Sequence, residues 1–354
     1  MKKPIALTAA SLAGLALSPA FAQSGVMLYG IMDAGLARVS NIAGGGSTQV
    51  RSGNLYTSRF GFRGTEDLGG GLKANFNLEA GLNVDTGTTS TPYFNRQSWL
   101  GLSSSSLGSV STGRMLPTIN DLFIASLQAS YFGNPSAAID GAATGAGSSA
   151  ARFNNMLGGT RVDNAIKYQS PVMAGFQGHA MAALGEVTGS SSAGRMLSLG
   201  GGYNASNIEA GLAYHERQCS EAGGCPVGKD TDKIFGLGAA YKLDGARYAL
   251  LYTQERNALN VKDANADVLS LLARMPFGQW VAAGGFQFLN DKTPLNQDVR
   301  QVNLALNYLL SKRTQLYGLY SYQAVKNGGK AGMLATTSSS NKQGQLSLGI
   351  AHTF

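Results

Sequence analysis

The chain has few charged residues and, beyond its first residues, no long hydrophobic run. Asp, Glu, Lys and Arg together make up 14% of the 354 residues, whereas 48 residues are glycine. This composition is atypical of a helical enzyme and favours many short strands joined by tight turns. After the N-terminal segment, no stretch approaches the roughly 20 apolar residues that a membrane-spanning helix needs.

The first 22 residues have the features of a secretory signal peptide. Lys2 and Lys3 form a basic start, an apolar stretch follows over 5–17, and Ala-Phe-Ala at 20–22 provides a small-residue cleavage site. An N-terminal membrane anchor is the alternative, but the apolar stretch is short for a span. We therefore predict an exported chain with one mature domain over 23–354, which is either soluble or a β-barrel.

The charge balance is basic but dispersed. The formal net charge is +8, and removing the two N-terminal lysines leaves 26 basic against 20 acidic residues. Because the basic residues are scattered along the chain, nucleic-acid binding is not expected. If they line a water-filled lumen, the same excess favours anions there.

Cysteine and histidine are scarce, which limits metal and catalytic chemistry. Cys219 and Cys225 are the two cysteines, and their loop-like surroundings in an exported protein predict a disulfide. The chain has three histidines, and the sequence places no carboxylate to support one in a catalytic triad. No metal site and no cofactor are expected.

The last nine residues form the clearest strand pattern. Leu346, Leu348, Ile350 and Phe354 fall on one face of an extended segment, with small or polar residues on the other. A chain that ends inside such a strand would leave a hydrophobic edge in an open sheet. In a closed barrel, this strand pairs with the first strand instead.

Short turns and long polar segments alternate along the chain. Turns such as 66–71 and 243–246 are rich in Gly, Asp and similar residues. Eight longer segments lie between the hairpins, at 41–53, 85–92, 117–160, 186–194, 219–230, 257–266, 290–298 and 326–341. Eight hairpins predict about sixteen antiparallel strands, and an even number with alternating loop lengths is typical of outer-membrane barrels. Such a barrel leaves a water-filled lumen.

Four stretches resemble the trimeric general porins of Gram-negative bacteria, in the β-proteobacterial branch. They span the mature chain and read VMLYGIMDAG at 26–35, SRFGFRGTEDLGGGLKA at 58–74, NAIKYQSP at 164–171 followed by Gly-Phe at 175–176, and LSKRTQLY at 310–317 together with the terminal HTF. The resemblance implies an all-β, 16-stranded transmembrane barrel with short periplasmic turns and long extracellular loops. It also implies a homotrimer in the outer membrane, in contact with lipid and lipopolysaccharide.

The same resemblance assigns two further features. The third loop, 116–160, is expected to fold into the lumen as a constriction, and it is the longest in the chain. Phe354 is expected to be the C-terminal signal read by the barrel-assembly machinery. Small hydrophilic solutes and ions are the expected cargo of such a channel.

Charged residues that line a narrow wet opening set the selectivity of a channel. Arg59 and Arg63 share one strand face opposite Phe60 and Phe62, so both arginines are predicted to point inward, because the reverse would place them in lipid. Arg96 precedes Trp99 on the fourth predicted strand, and Arg114 ends the fifth. The resemblance implies a basic cluster that comprises Arg59, Arg96 and Arg152. Asp121 and Asp140 lie in the third loop, where we expect them to face these arginines.

The sequence thus predicts a passive diffusion channel with a preference for anions. Three alternatives remain open at this point: a substrate-specific channel for organic anions, an outer-membrane hydrolase, and a β-sandwich adhesin. Detergent dependence separates the adhesin from a barrel, because a sandwich stays dissolved without detergent.

Overall fold

Antiparallel strands account for most of the computed structural model, which describes residues 25–123, 160–219, 230–333 and 336–354. Within these ranges, no helix has both the length and the apolar character needed to cross a bilayer. The first half contains β1 (Gly25–Ile42), β2 (Gly45–Ser52), β3 (Arg59–Gly69), β4 (Leu72–Asn83), β5 (Thr88–Thr89), β6 (Gln97–Ser104), β7 (Gly108–Met115), the short helix α1 (Thr118–Asn120), β8 (Val162–Gln169) and β9 (Phe176–Ala183).

The second half continues the same pattern with longer strands. It contains β10 (Met196–Ala205), β11 (Ile208–Arg217), β12 (Asp232–Leu243), β13 (Ala246–Arg256), a 3-10 turn (Ala258–Asn260), β14 (Ala266–Phe277), β15 (Trp280–Asp291), β16 (Val299–Leu309), β17 (Thr314–Val325), β18 (Gly332–Met333), β19 (Thr336–Thr337) and β20 (Lys342–Thr353).

The sheet closes on itself through the last strand. Neighbouring long strands pair in chain order, and β20 pairs with both β17 and β1. Phe354 and Gly30 exchange two backbone hydrogen bonds of 3.1 Å, which continues the β1–β20 ladder to the last residue. The predicted pairing of the terminal strand with the first strand is confirmed, and among the described residues the long strands leave no free edge in the main sheet.

The second strand of the barrel is interrupted. Both β2 and β3 pair with β1, through Ala34–Ser52 and Ile31–Arg59 at the two borders of the break, and residues 53–58 lie between them. Counted as one, β2 and β3 bring the barrel to the sixteen strands predicted from the sequence.

Two boundaries expected from the sequence are wrong. The turn expected at 66–71 is shorter, because β3 continues to Gly69 and its Glu66 and Asp67 pair with Ala74 and Lys73 of β4. The polar segment 41–53 was expected to form a long loop, but Gly45–Ser52 extends the β1 hairpin as β2, with a turn at Ala43 and Gly44. Its Ser, Thr, Gln and Arg side chains resemble loop composition. They are compatible with a strand because one face of this wall contacts water.

The two faces of the wall differ as the alternation predicts. Leu212, Leu237 and Leu348 point outward and are 53–57% exposed, whereas their chain neighbours Ala213 and Ser347 point inward and are fully buried. Aromatic pairs lie at the short-turn end of the wall: Phe176 with Tyr203 at 4.5 Å and Trp280 with Tyr308 at 4.7 Å between ring centroids. This placement matches an interfacial girdle.

Part of the inward face is apolar, which the sequence analysis did not predict. Ile234, Leu251 and Leu319 face inward and are at most 2% exposed. They belong to one hydrophobic cluster with Leu122 and Phe123, at the start of the third loop. This side of the lumen is therefore a packing surface for the loop, because burial of these side chains removes them from water.

Outward residues near the middle of a strand should tolerate charge poorly. Leu237→Arg places a guanidinium on the lipid face of β12 and should lower the free energy of unfolding by about 2–4 kcal/mol. Urea unfolding in phospholipid vesicles measures this quantity. Ser111→Arg is the matched control, because Ser111 lines an internal cavity on β7 and its substitution should cost about 0.5 kcal/mol or less. Equal losses for the two variants would contradict the assignment of the faces.

Candidate constriction site

Three neighbouring strands bring charged residues together on the inward face. Arg59 begins β3, Glu79 lies near the end of β4, and Arg96 immediately precedes β6. The β4–β6 ladder pairs Glu79 with Gln97, and the backbone N–H of Arg96 donates to the Glu79 carbonyl at 3.1 Å. Their side chains therefore meet at one level of the wall.

Glu79 is the centre of this group. Its Oε1 accepts from Nε of Arg96 at 2.6 Å, and its Oε2 lies 3.5 Å from Nε of Arg59. The hydroxyl of Tyr29 also donates to Oε2 at 3.0 Å. The Glu79 side chain is 6% exposed, so its charge is largely satisfied by these partners. The short bond to Glu79 fixes the orientation of Arg96, whereas the separation of Glu79 from Arg59 is longer than a charge-assisted hydrogen bond.

Two more arginines adjoin the same segment. Nε of Arg161 donates to the carbonyl of Arg96 at 3.2 Å, and Nε of Arg114 donates to the carbonyl of Asn95 at 2.7 Å. Nη1 of Arg114 also lies 2.5 Å from Asp163. We call Arg59, Arg96, Arg114 and Arg161 the arginine cluster.

The arginine cluster carries more positive than negative charge. Its four guanidinium groups are accompanied by the carboxylates of Glu79 and Asp163. Burial, followed by the positive charge of Arg96, lowers the pKa of Arg161 to about 9. Such a shift is the expected response of a cation held among like charges in a poorly hydrated position.

The start of the third loop is fixed to the inner wall by an ion pair. Asp121 follows α1, and its Oδ2 lies 2.5 Å from Nζ of Lys167 on β8. Burial raises the pKa of Asp121, and the neighbouring Lys167 opposes that shift. Asp121 was expected to face the arginines, but its partner in the structure is Lys167.

Glycines on β10 and β12 make room for the loop. A Cβ on Gly200 would lie 2.5 Å from Cδ1 of Leu122, and a Cβ on Gly236 would lie 2.3 Å from the ring of Phe123. Both separations are shorter than van der Waals contact, so neither position accepts a larger side chain without moving the loop. The absence of side chains here is what lets the loop approach the wall.

An internal cavity of about 600 Å³ lies beside the Asp121–Lys167 ion pair. Its lining includes Arg63, Asn77 and Gln97 from the strands, and Asp121 with Lys167 from the loop contact. Arg63 is exposed, and its guanidinium carbon lies 5.1 Å from the centroid of the Tyr29 ring. Arg63 thus faces inward as parity predicts, four residues along β3 from Arg59.

The structure brings together three of the arginines expected from the sequence, Arg59, Arg96 and Arg114. Arg152 and Asp140 lie outside the described residues, so their roles remain predictions. Cys219 is disulfide-bonded, while its expected partner Cys225 also lies outside the described residues.

Sequence reasoning missed Glu79, Arg161 and Lys167. Glu79 was detectable in principle, because it continues the polar alternation of Asn75 and Asn77 on β4. Arg161 precedes its strand by one residue, directly after a segment assigned wholly to the third loop. Its position beside Arg96 depends on the pairing of distant strands, which no local pattern reveals.

Comparison with known proteins gives a consistent result. The model of the Gram-negative porin family matches residues 6–328. Outer membrane porin protein 32 of Delftia acidovorans is 31% identical over the full length of both chains. An outer membrane porin protein of Bordetella pertussis is 28% identical, and the match covers 91% of this chain and 94% of the Bordetella protein.

A solved structure agrees with these relatives. The anion-selective porin from Comamonas acidovorans superposes with a TM-score of 0.76 at 28% identity, covering 94% of this chain and all of its own. A closed barrel with an apolar exterior and a charged interior defines the class, a channel of the outer membrane. The chain belongs to the Gram-negative porin family.

The contact between the third loop and the wall can be tested with single methyl groups. Gly236→Ala should displace the Phe123 ring and lower the free energy of unfolding by about 1–3 kcal/mol, the usual cost of overpacking. Gly211→Ala on the adjacent strand is the control, because its Cβ would meet no atom closer than 3.7 Å. Urea unfolding, together with the open-channel current noise of each variant, provides the measurement. If the two variants behave alike, the loop does not rest on Gly236.

Proposed function

We propose that this outer-membrane channel admits small hydrophilic solutes by passive diffusion and prefers anions over cations. The observation that carries the proposal is the arginine cluster, in which four guanidinium groups are accompanied by two carboxylates, with Arg59 and Arg96 meeting Glu79 on the inner wall. The relatives of this chain are porins, which are channels rather than enzymes. No catalytic role is proposed for any residue.

The geometry of the arginine cluster attracts an anion without binding it tightly. An anion that enters the narrow part loses some hydration water, and N–H groups of the cluster replace it. At about 4 Å and an effective dielectric constant of about 20, one charge pair contributes about 4 kcal/mol before desolvation is subtracted. Glu79 and Asp163 reduce the net field, so an anion is drawn in and still leaves.

The solved relative supports the sign of the preference. The protein from Comamonas acidovorans is an anion-selective porin and is 28% identical to this chain. The net basic charge of the sequence points the same way. For this chain, the roles of Arg59, Arg63, Arg96 and Arg114 in selectivity are part of the proposal.

We further propose the biogenesis and assembly that the resemblance to trimeric porins implies. The signal peptide over 1–22 directs export and is removed, and the mature barrel is 23–354. Phe354, which is 40% exposed beside Gly30, acts as the signal for the barrel-assembly machinery. Three copies then associate in the membrane, in contact with lipid and lipopolysaccharide.

Neutralising one arginine should weaken the preference for anions. Arg96→Gln removes the guanidinium with the short bond to Glu79 and should lower the chloride-to-potassium permeability ratio about fivefold, which corresponds to about 1 kcal/mol. Glu79→Gln should shift the ratio in the opposite direction, because it removes a negative charge from the same level. Reversal potentials across planar bilayers in a KCl gradient give the ratio.

Arg300→Gln is the matched control for these variants. Arg300 is an exposed arginine that faces outward from β16, away from the lumen, so the permeability ratio should not change. A ratio above one in the parent protein supports anion preference, whereas a cation-selective parent contradicts it. A parent that is anion-selective but insensitive to Arg96→Gln would show that the preference arises elsewhere in the channel.

The trimer has its own test. In sodium dodecyl sulfate without heating, the folded protein should migrate at about three times the apparent mass of the boiled chain, because closed barrels resist the detergent until heat unfolds them. Light scattering in a mild detergent provides the mass of the complex. A monomeric mass at micromolar concentration would contradict the proposed assembly.

A further inference from the structure

Residues 53–58 form an inward turn in the wall of the barrel. Opposite this break, β1 supplies two residues, Met32 and Asp33, between the paired positions Ile31–Arg59 and Ala34–Ser52. Six residues therefore lie opposite two, and the surplus must leave the plane of the sheet. Leu55 packs with Tyr317 and Ala351, whose strands place them on the inward face. The surplus thus projects into the lumen.

Asp33 holds this turn through its carboxylate. The backbone N–H groups of Asn54, Leu55 and Tyr56 donate to it at 3.1, 3.1 and 2.8 Å, and the hydroxyl of Tyr317 donates at 2.7 Å. Asp33 is fully buried. A buried charge is tolerated when hydrogen bonds replace its water, and four bonds do so here. We call the Asp33 carboxylate, the Tyr317 hydroxyl and the three N–H groups the Asp33 anchor.

The backbone of Asp33 is tied to the same turn. Its carbonyl accepts from Gly53 N–H at 2.9 Å and from the Ser58 hydroxyl at 3.0 Å, and its own N–H donates to Ser58 Oγ at 3.0 Å. Gly53 and Ser58 are the two ends of the turn. The turn is therefore fixed to the Asp33 backbone at both ends, through the Gly53 N–H and the Ser58 hydroxyl, and to the Asp33 carboxylate at its tip.

The turn leads directly into the arginine cluster. Arg59 follows Ser58 in the chain, and its Nη1 donates to the carbonyl of Thr57 at 3.2 Å. The ion pair of Arg59 with Glu79 is long. Its Nε lies 3.5 Å from Oε2 of Glu79, whereas Nε of Arg96 lies 2.6 Å from Oε1 of the same residue. Charge-assisted hydrogen bonds are normally about 2.7–2.9 Å. The orientation of Arg59 therefore depends on where the turn places Thr57.

We propose that the Asp33 anchor is a positioning element for ion selectivity: by fixing the inward turn, Asp33 and Tyr317 orient the Arg59 guanidinium toward permeating anions. Neither residue touches the permeating ion, because Asp33 is fully buried and Tyr317 is 4% exposed. The proposal rests on the anion preference proposed above and assigns part of it to residues outside the arginine cluster.

Tyr317→Phe tests the proposal with the loss of one hydroxyl. The ring still packs against Leu55, so the barrel should assemble and form channels. Loss of one hydrogen bond to a charged group should make the turn open about tenfold more often. The chloride-to-potassium permeability ratio should then fall about twofold, since Arg59 is one of four arginines in the cluster. Tyr320→Phe is the matched control, because Tyr320 lies on the same strand, faces outward and is 43% exposed.

A second readout follows the turn without reference to ion selectivity. In a Leu55→Cys protein, the thiol replaces a side chain that is 1% exposed and should react slowly with a negatively charged methanethiosulfonate reagent. Cys219 is already disulfide-bonded, so it does not compete. Adding Tyr317→Phe should raise the reaction rate about tenfold, as mass spectrometry measures, whereas adding Tyr320→Phe should leave it unchanged.

The two readouts separate the possible failures. Faster reaction with a lower permeability ratio supports the proposal. Faster reaction with an unchanged ratio overturns it, because the turn then moves without affecting selectivity. An unchanged reaction rate also overturns it, because the hydroxyl then does not hold the turn. A parent channel without anion preference refutes the proposed function instead, and the reaction rates still report on the Asp33 anchor.

Discussion

The structure depends on the need to satisfy every backbone N–H and C=O group where no water is available. Closing the ladder between β20 and β1 meets that need, and the exchange of hydrogen bonds between Phe354 and Gly30 extends it to the last residue. Once the wall is closed, strand alternation assigns each side chain to hydrocarbon or to the lumen. The outward leucines and the inward arginines are two results of this one constraint.

Within the lumen, the charged and the apolar parts of the wall have different roles. The strands from β3 to β8 carry the arginine cluster and Lys167, whereas β12 to β17 present Ile234, Leu251 and Leu319. The apolar side receives Leu122 and Phe123 over glycine positions. The start of the third loop is thus held by hydrophobic burial on one side and by the Asp121–Lys167 ion pair on the other, which places it opposite the charged wall.

The alternation of short and long connections in the sequence was sufficient to predict the strand number. The alternation of apolar and polar side chains was sufficient to predict the two faces and the inward direction of Arg59 and Arg63. It did not reveal partners such as Glu79 with Arg96, or Asp33 with Tyr317, because these join residues 17 and 284 positions apart. Such contacts depend on register between strands, which a single strand does not encode. The strand β2 was mistaken for a loop because a wall that faces water on one side tolerates loop-like side chains.

The interrupted second strand has a consequence for how such channels diversify. The ladders on both sides of residues 53–58 are complete without the turn, since Ile31–Arg59 and Ala34–Ser52 are regular pairs. Residues inserted there would lengthen a projection into the passage while the hydrogen-bonded wall keeps its shape. Exterior loops are the usual place for variation in surface proteins. In this barrel, the inward turn at 53–58 is a second place for variation, and it lies inside the lumen. Changes at that position would alter the passage while the loops outside the membrane stay the same.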